Sequence, residues 1–218
     1  MFLIKNTIIN LPGKFINIFN IVCLLLTSCT NSQNLFKKNS LLRDQKWQVH
    51  KQQLLCLRDY RIRGSIFFFI VEKIKFFTSF FFQKQVLPKK YQLLIIDPFG
   101  NRIIEIMFNH NFARLITKDG QIYTSDTIDN LIYKLTGIDI PFDEITLWLV
   151  GLPGHAINFS FNKNNLLKTI NFKKNNKIWK INYISYNKKI FPVLPNHLEF
   201  YQGNILIKFK IYTWMLKR

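Results

Sequence analysis

The sequence predicts a mainly β fold, an antiparallel meander in two runs with a pair of helices set between them. Three observations carry that expectation. Short apolar runs rich in Ile, Phe and Tyr follow one another from Arg61 almost to the C-terminus, punctuated by Gly, Pro, Asn and Asp. Two segments, "IDNLIYKLTG" and "EITLWLVG", break that rhythm with helical spacing, a cap residue ahead and a glycine behind. The 22 phenylalanines supply enough apolar surface to offset the entropy of ordering, which excludes a disordered chain.

The chain opens on a different kind of segment. Lys5 and Lys14 flank an apolar stretch, Phe15 to Leu26, that is too short to span a bilayer as a helix and has the form of a signal-peptide core. The "LTSC" that follows, Leu26 to Cys29, resembles a bacterial lipobox, in which small residues precede a cysteine that is lipidated. Residues 1–28 are therefore expected to be a lipoprotein signal peptide and Cys29 the acylated N-terminus of the mature chain. Thr30 stands where an aspartate would typically hold a lipoprotein at the inner membrane, so the expected address is the outer membrane, in the leaflet facing the periplasm. Residues 29–43 are polar and unpatterned, a tether with an end-to-end distance of roughly 20 Å. Residues 44–218 form the expected domain, large enough for one sizeable core.

Within that domain, Trp47, His50, Leu54 and Leu57 recur at helical spacing and predict a helix from Asp44 to Leu57, after which Gly64 opens the sheet. The first run reads "SIFFFIV", "IKFFTSFFF", "YQLLIID", "RIIEIMF" and "ARLITKDGQIYT", with Asp97-Pro98-Phe99-Gly100 and Lys118-Asp119-Gly120 as turns. Asp126 or Thr127 caps the first of the two helices and Asp143 leads the second. The second run reads "AINFSF", "LLKTINF", "IWKINYISY", "HLEFY" and "ILIKFKIYTWML", with Gly203-Asn204 at its last turn. Three consecutive Phe at 67–69, and again at 80–82, must point to both faces of a sheet, so neither face can be wholly wet. A curved sheet with helices on its concave side satisfies that condition, by a filled core or by a lined cavity.

The net charge of +19 would ordinarily suggest nucleic acid or an anionic surface. The chain is also crowded with Asn, Ile, Phe and Lys, all encoded by A/T-rich codons, so a drifting genome could produce this charge without a selected partner, and the charge is discounted. The basic residues are dispersed and an export signal removes the substrate, so no nucleic-acid partner is expected. Of the three cysteines, Cys23 leaves with the signal and Cys29 is acylated, so Cys56 has no partner and no disulfide framework is expected. His50, His110, His155 and His197 are scattered without ligand spacing, so neither a metal, a cofactor nor an enzyme's constellation is expected.

The block "LTGIDIPFDEITLWLVGLPG", residues 135–154, resembles the LolB family, the outer-membrane receptors of bacterial lipoprotein localisation. The lipobox, "WQVHKQQLLCLRDYRIRG" at 47–64, "YQLLIIDPFGN" at 91–101, "KIWKINY" at 177–183 and "LPNHLEFYQGNILIKFKIYTWMLK" at 194–217 match in order. The resemblance implies an incomplete antiparallel β-barrel with helices forming a lid over an apolar cavity for acyl chains. It implies a monomer that accepts acylated lipoprotein cargo from the periplasmic carrier LolA and inserts it among outer-membrane phospholipids. The family's cavity tryptophans correspond to Trp47, Trp148, Trp179 and Trp214, and a further aromatic position, usually tryptophan, to Phe82. The turn of Asp97, Pro98, Phe99 and Gly100 matches a loop with a protruding apolar residue linked to membrane delivery, with Lys89 and Lys90 as nearby cations at a strand edge. Burying one CH₂ is worth roughly 0.8 kcal/mol, so an acylated protein needs a carrier to cross water. A lipocalin-like lipoprotein holding a small apolar ligand is the alternative, against which the two helices inserted midway argue.

Overall fold

The computed structural model describes the backbone of residues 44–70, 73–85 and 89–217. Cys29, the expected signal peptide and the tether lie outside the described residues. The chain divides into two units, Met1–Lys46 and Trp47–Arg218. Among the described residues, the hydrophobic core belongs to the second.

A helix over residues 44–55 (α1) leads into eleven strands and two further helices among the described residues. The first run is β1 (Asp59–Ile70), β2 (Lys73–Gln85), β3 (Lys90–Ile96), β4 (Arg102–Asn109), β5 (Phe112–Thr117) and β6 (Ile122–Ser125). After α2 (Ile128–Thr136) and α3 (Phe142–Val150) come β7 (Asn158–Phe161), β8 (Leu167–Lys174), β9 (Lys177–Asn187), β10 (Leu194–Gln202) and β11 (Ile205–Lys217). All pair antiparallel in one sheet of spatial order β6-β5-β4-β3-β2-β1-β11-β10-β9-β8-β7. The first and last strands join at its centre, from Tyr60 opposite Leu216 to Ile70 opposite Ile205. The two edges, β6 and β7, do not pair with each other, so the barrel is incomplete, and α2 and α3 carry the chain from one edge to the other.

The turns follow local chemistry. At Asp97 to Asn101 the Gly100 amide donates to the Asp97 carbonyl (3.0 Å), and Gly100 takes φ +88°, the left-handed residue that closes a hairpin built on a type I turn. The β8–β9 turn, Asn175-Asn176, has φ +49° and +60°, a two-residue hairpin whose left-handed positions asparagine tolerates. Gly64 lies within β1, at an irregularity opposite β11, and does not open the sheet: the strand starts at Asp59. A Cβ there would run into the Lys210 carbonyl and the Phe80 ring.

The helices are fixed at their ends. The Thr127 hydroxyl accepts from the Asn130 amide (3.2 Å) and caps α2. Helix α3 begins at Phe142 rather than after Asp143, because Pro141 occupies its cap position and has no capping side chain. Its first amide is taken up by α2 instead: Phe142 N donates to Asp129 Oδ1 (3.0 Å). The other Asp129 oxygen accepts from Lys174 Nζ (2.7 Å), which also pairs with Asp139 (2.8 Å), so one lysine of β8 links the first turn of α2 to the α2–α3 connection. At the far end of α3, Tyr183 donates to the Trp148 carbonyl (2.9 Å). Helix α3 is apolar nearly all round and touches both halves of the sheet. Phe142 meets Phe82 and Tyr91 (ring centroids 6.1 and 5.8 Å apart), while Trp148 meets Phe172 and Phe200 (5.4 and 5.7 Å).

Candidate functional site

The inward positions of four neighbouring strands come in pairs two residues apart: Ile66 and Phe68, Phe80 and Phe82, Leu93 and Ile95, Ile104 and Ile106. Together they form one wall of a cavity of about 340 Å³. Leu115 of β5 and Ile207 and Phe209 of β11 extend the wall. The facing side is made by Ile132 and Leu135 of α2, Ile138 and Ile140 of the connection, and Phe142, Ile145 and Leu149 of α3, spaced at helical intervals. The polar lining residues are Thr136 and Thr146, and both hydroxyl protons are used locally, donated to the Ile132 and Asp143 carbonyls (2.7 Å each). The lining carries no charge and no nucleophile with a base beside it. Such a cavity discriminates by apolar area, each buried CH₂ being worth roughly 0.8 kcal/mol.

Of the five aromatic positions expected at the cavity, Phe82 lines it. The other four are placed elsewhere in the core. Trp47 of α1 packs on Phe161 and Phe159 of β7 (5.1 and 6.4 Å), and Trp148 faces β8 and β10. Trp179 is fully buried on β9 opposite Phe172, and Trp214 stacks near Tyr60 and donates its indole N–H to the Pro195 carbonyl (3.0 Å). The aliphatic lining escaped sequence reasoning, because "SIFFFIV", "YQLLIID" and "RIIEIMF" are nearly continuous apolar runs in which no period separates inward from outward residues.

Phe99 sits at the tip of the β3–β4 turn with nine-tenths of its surface exposed, the most exposed of the large apolar side chains described. The turn beneath it is rigid. Asp97 Oδ1 accepts from the amides of Phe99 (2.9 Å) and Asn101 (2.8 Å), and Oδ2 from the Asn101 side chain (3.0 Å). Those bonds, the one from the Asn101 side chain foremost, hold the Asp97 carboxyl below its usual pKa, with Lys118 of the next hairpin adding its charge. Lys89 and Lys90 are not beside this tip. They stand at the opposite end of β3, roughly 20 Å along the strand, where Lys89 pairs with Asp143 (3.2 Å).

His155 is paired with Glu144 (2.5 Å) and His197 lies 3.8 Å from Glu199, and Cys56 is free and exposed. Among the described residues no group of His, Cys, Asp and Glu is placed to hold a metal ion.

The family described as "Outer membrane lipoprotein LolB" matches residues 58–214 of the chain. The chain belongs to the LolB family. A protein of Photorhabdus laumondii named outer-membrane lipoprotein LolB is 40% identical over 89% of this chain and 91% of its own length. The protein of that name from Serratia proteamaculans is 32% identical over 94% and 97%. Among solved structures, a LolA superfamily protein from Nitrosomonas europaea superposes with a TM-score of 0.54 over 81% of this chain and 94% of its own. A putative outer-membrane lipoprotein-sorting protein domain from Vibrio parahaemolyticus gives 0.51 over 79% and 91%. Both are 6% identical and show a shared fold.

Proposed function

We propose that this LolB-family chain is an outer-membrane lipoprotein, anchored through Cys29, that receives acylated lipoproteins from the periplasmic carrier LolA and inserts them into the periplasm-facing leaflet. The observation that carries this reading is the cavity: about 340 Å³ walled by aliphatic and phenyl groups and roofed by α2 and α3, a surface that suits an acyl chain and offers nothing for catalysis. The names of the relatives at 40% and 32% identity support it. The protein acts as a monomer, and the exposed Phe99 is its contact with membrane phospholipid. With no nucleotide site in the lining, cargo moves down a gradient of affinity from carrier to receptor to bilayer.

A two-step transfer tests the function. Radiolabelled lipoprotein bound to LolA is mixed with the acylated chain in liposomes, and cargo is followed from carrier to receptor to lipid. Cargo should leave LolA only when the chain is present, and a chain that never takes it up would refute the proposal. The anchor is tested separately: a palmitate analogue fed to cells should label the wild type and not Cys29→Ser.

A further inference from the structure

Among the described residues, one cation reaches a side chain of the cavity lining without itself being part of that lining. Lys84 follows Phe82 by two residues on β2 and so points to the same inward face. Its Nζ lies 3.2 Å from Oγ1 of the cavity-lining Thr146 and 5.6 Å from the centre of the Tyr91 ring. The Thr146 hydroxyl gives its own proton to the Asp143 carbonyl, so it accepts from Lys84. Among the described residues that is the single hydrogen bond of an ammonium that has three N–H groups to place. Asp143, the carboxylate whose charge acts on Lys84, is engaged by Lys89. Burial pushes the Lys84 ammonium down to about 8, as expected of a cation short of acceptors.

Lys84 also lines a second space. A crevice of about 140 Å³ lies where the ends of β1, β2 and β11 meet, and its lining is mixed, with Asp59, Arg61, Gln83 and Lys217 beside Lys84 as well as Tyr60, Met215 and Leu216. The Lys84–Thr146 pair therefore stands between an apolar chamber and one that carries charged groups. A molecule whose tail fills the first and whose head fills the second would place its linkage at Nζ. The linkage of an acyl chain to glycerol or to an amine is a carbonyl, an acceptor that brings no proton and no charge.

We propose that Lys84 is the recognition site for the ester or amide carbonyl oxygen at the head of a bound acyl chain. It fixes the chain with its polar end at the junction of β2 and α3 and its tail running toward Phe68 and Ile104. The proposal rests on the reading of the cavity as an acyl-chain site and adds to it a direction and a point of recognition. The Lys84 N–H donors that Thr146 does not take up then meet a carbonyl acceptor when cargo is loaded, which gives the site selectivity for acylated molecules over plain hydrocarbon.

The test uses a chain beginning at Thr30, which retains the whole compact unit and lacks the acyl anchor that would compete. Three probes of equal chain length are compared by displacement of a fluorescent fatty-acyl reporter: monopalmitoylglycerol, its ether analogue hexadecylglycerol, which lacks the carbonyl, and palmitate. The wild type should bind the ester about tenfold more tightly than the ether, the worth of one hydrogen bond to a charged group. Lys84→Met should bring the ester down to the ether, leave the ether unchanged as proof of an intact cavity, and Lys84→Arg should restore most of the difference. An ester-to-ether ratio that Lys84→Met does not alter overturns the proposal. A loss confined to palmitate overturns it too, since the ammonium would then read a carboxylate's charge. Failure of all three probes to bind the wild type would instead overturn the acyl-chain reading itself.

Discussion

The two halves of the sheet are built from the same residues to opposite effect. Strands β8 to β10 form the solid half: Leu167, Ile170, Trp179, Ile181, Leu198 and Phe200 have essentially no exposed surface. Strands β1 to β4 turn equally apolar side chains inward, yet Ile66, Phe68, Leu93 and Ile104 remain partly exposed because what they face is empty space. The difference lies in the route of α3, whose second half carries Trp148 into the right-hand strands while its first half reaches the left-hand ones through Phe142. One half supplies stability, which leaves the other free to hold a ligand.

The largest expected effect separates the halves by stability. Phe200→Ala in the solid half should cost about 3–5 kcal/mol of unfolding free energy in urea, because it deletes a fully enclosed ring. Leu93→Ala in the hollow half should cost less than about 2 kcal/mol, since the atoms removed already border a void. Equal losses would show that the cavity wall is packed in solution and would dissolve the contrast.

Adding volume reverses the ranking. Ile104→Trp can lodge its larger side chain in the cavity, so stability should change by no more than about 1 kcal/mol while a fatty-acyl probe loses at least tenfold in affinity. Leu198→Trp has no such space and should destabilise by about 1–3 kcal/mol or more. If the Ile104→Trp chain binds the probe as before, the ligand occupies some other part of the molecule.

This contrast explains what the sequence could and could not disclose. The strands were legible because the two-residue period of "LLKTINF" reports a buried face, and the hairpin at Asp97 to Gly100 because its residue types dictate its backbone. Whether a buried face meets a neighbour or a void depends on a helix tens of residues away, and Ile104 and Ile170 read alike on the page. The tryptophans drew attention as cavity residues through family resemblance, yet Trp148 and Trp179 lie in the solid half, where a large flat ring fills space between sheet and helix. The Asn175-Asn176 turn was hidden among the chain's many asparagines, and the distance of Lys89 from Phe99 by the seven-residue length of β3.

A smaller effect concerns Lys84, the cation beside the cavity-lining Thr146 of α3. The Lys84 ammonium titrates at about 8 when folded and near 10.5 when unfolded, so between those values the unfolded chain holds more protons and stability rises with pH. Below pH 8 both states are charged and the full cost of burial is felt. Relative to Lys84→Met, which has no such titration, the wild type should therefore gain about 1–2 kcal/mol between pH 7 and 9.5. Asp143 and Lys89 flank the group in both proteins, so their contributions largely cancel in the difference. A constant difference across that range would mean that Nζ is solvated and not held at the wall.

The smallest effect on stability belongs to Phe99, which lies outside both halves. With nine-tenths of its surface already in water, Phe99→Glu should leave the unfolding free energy within about 0.5 kcal/mol, since Asp97 and Gly100 still define the turn. Its effect should fall on delivery alone. Burying a phenylalanine in lipid is worth roughly 1.5–3 kcal/mol, and a glutamate there adds a desolvation cost, so transfer from this chain to liposomes should slow by about an order of magnitude or more. Loading from LolA should be unchanged, because the cavity residues are untouched. The halves of the sheet then govern whether cargo is held and the turn governs whether it is released. A folded Phe99→Glu chain that loads and delivers at the wild-type rate would mean that the tip never meets the bilayer, and that release depends on the cavity alone.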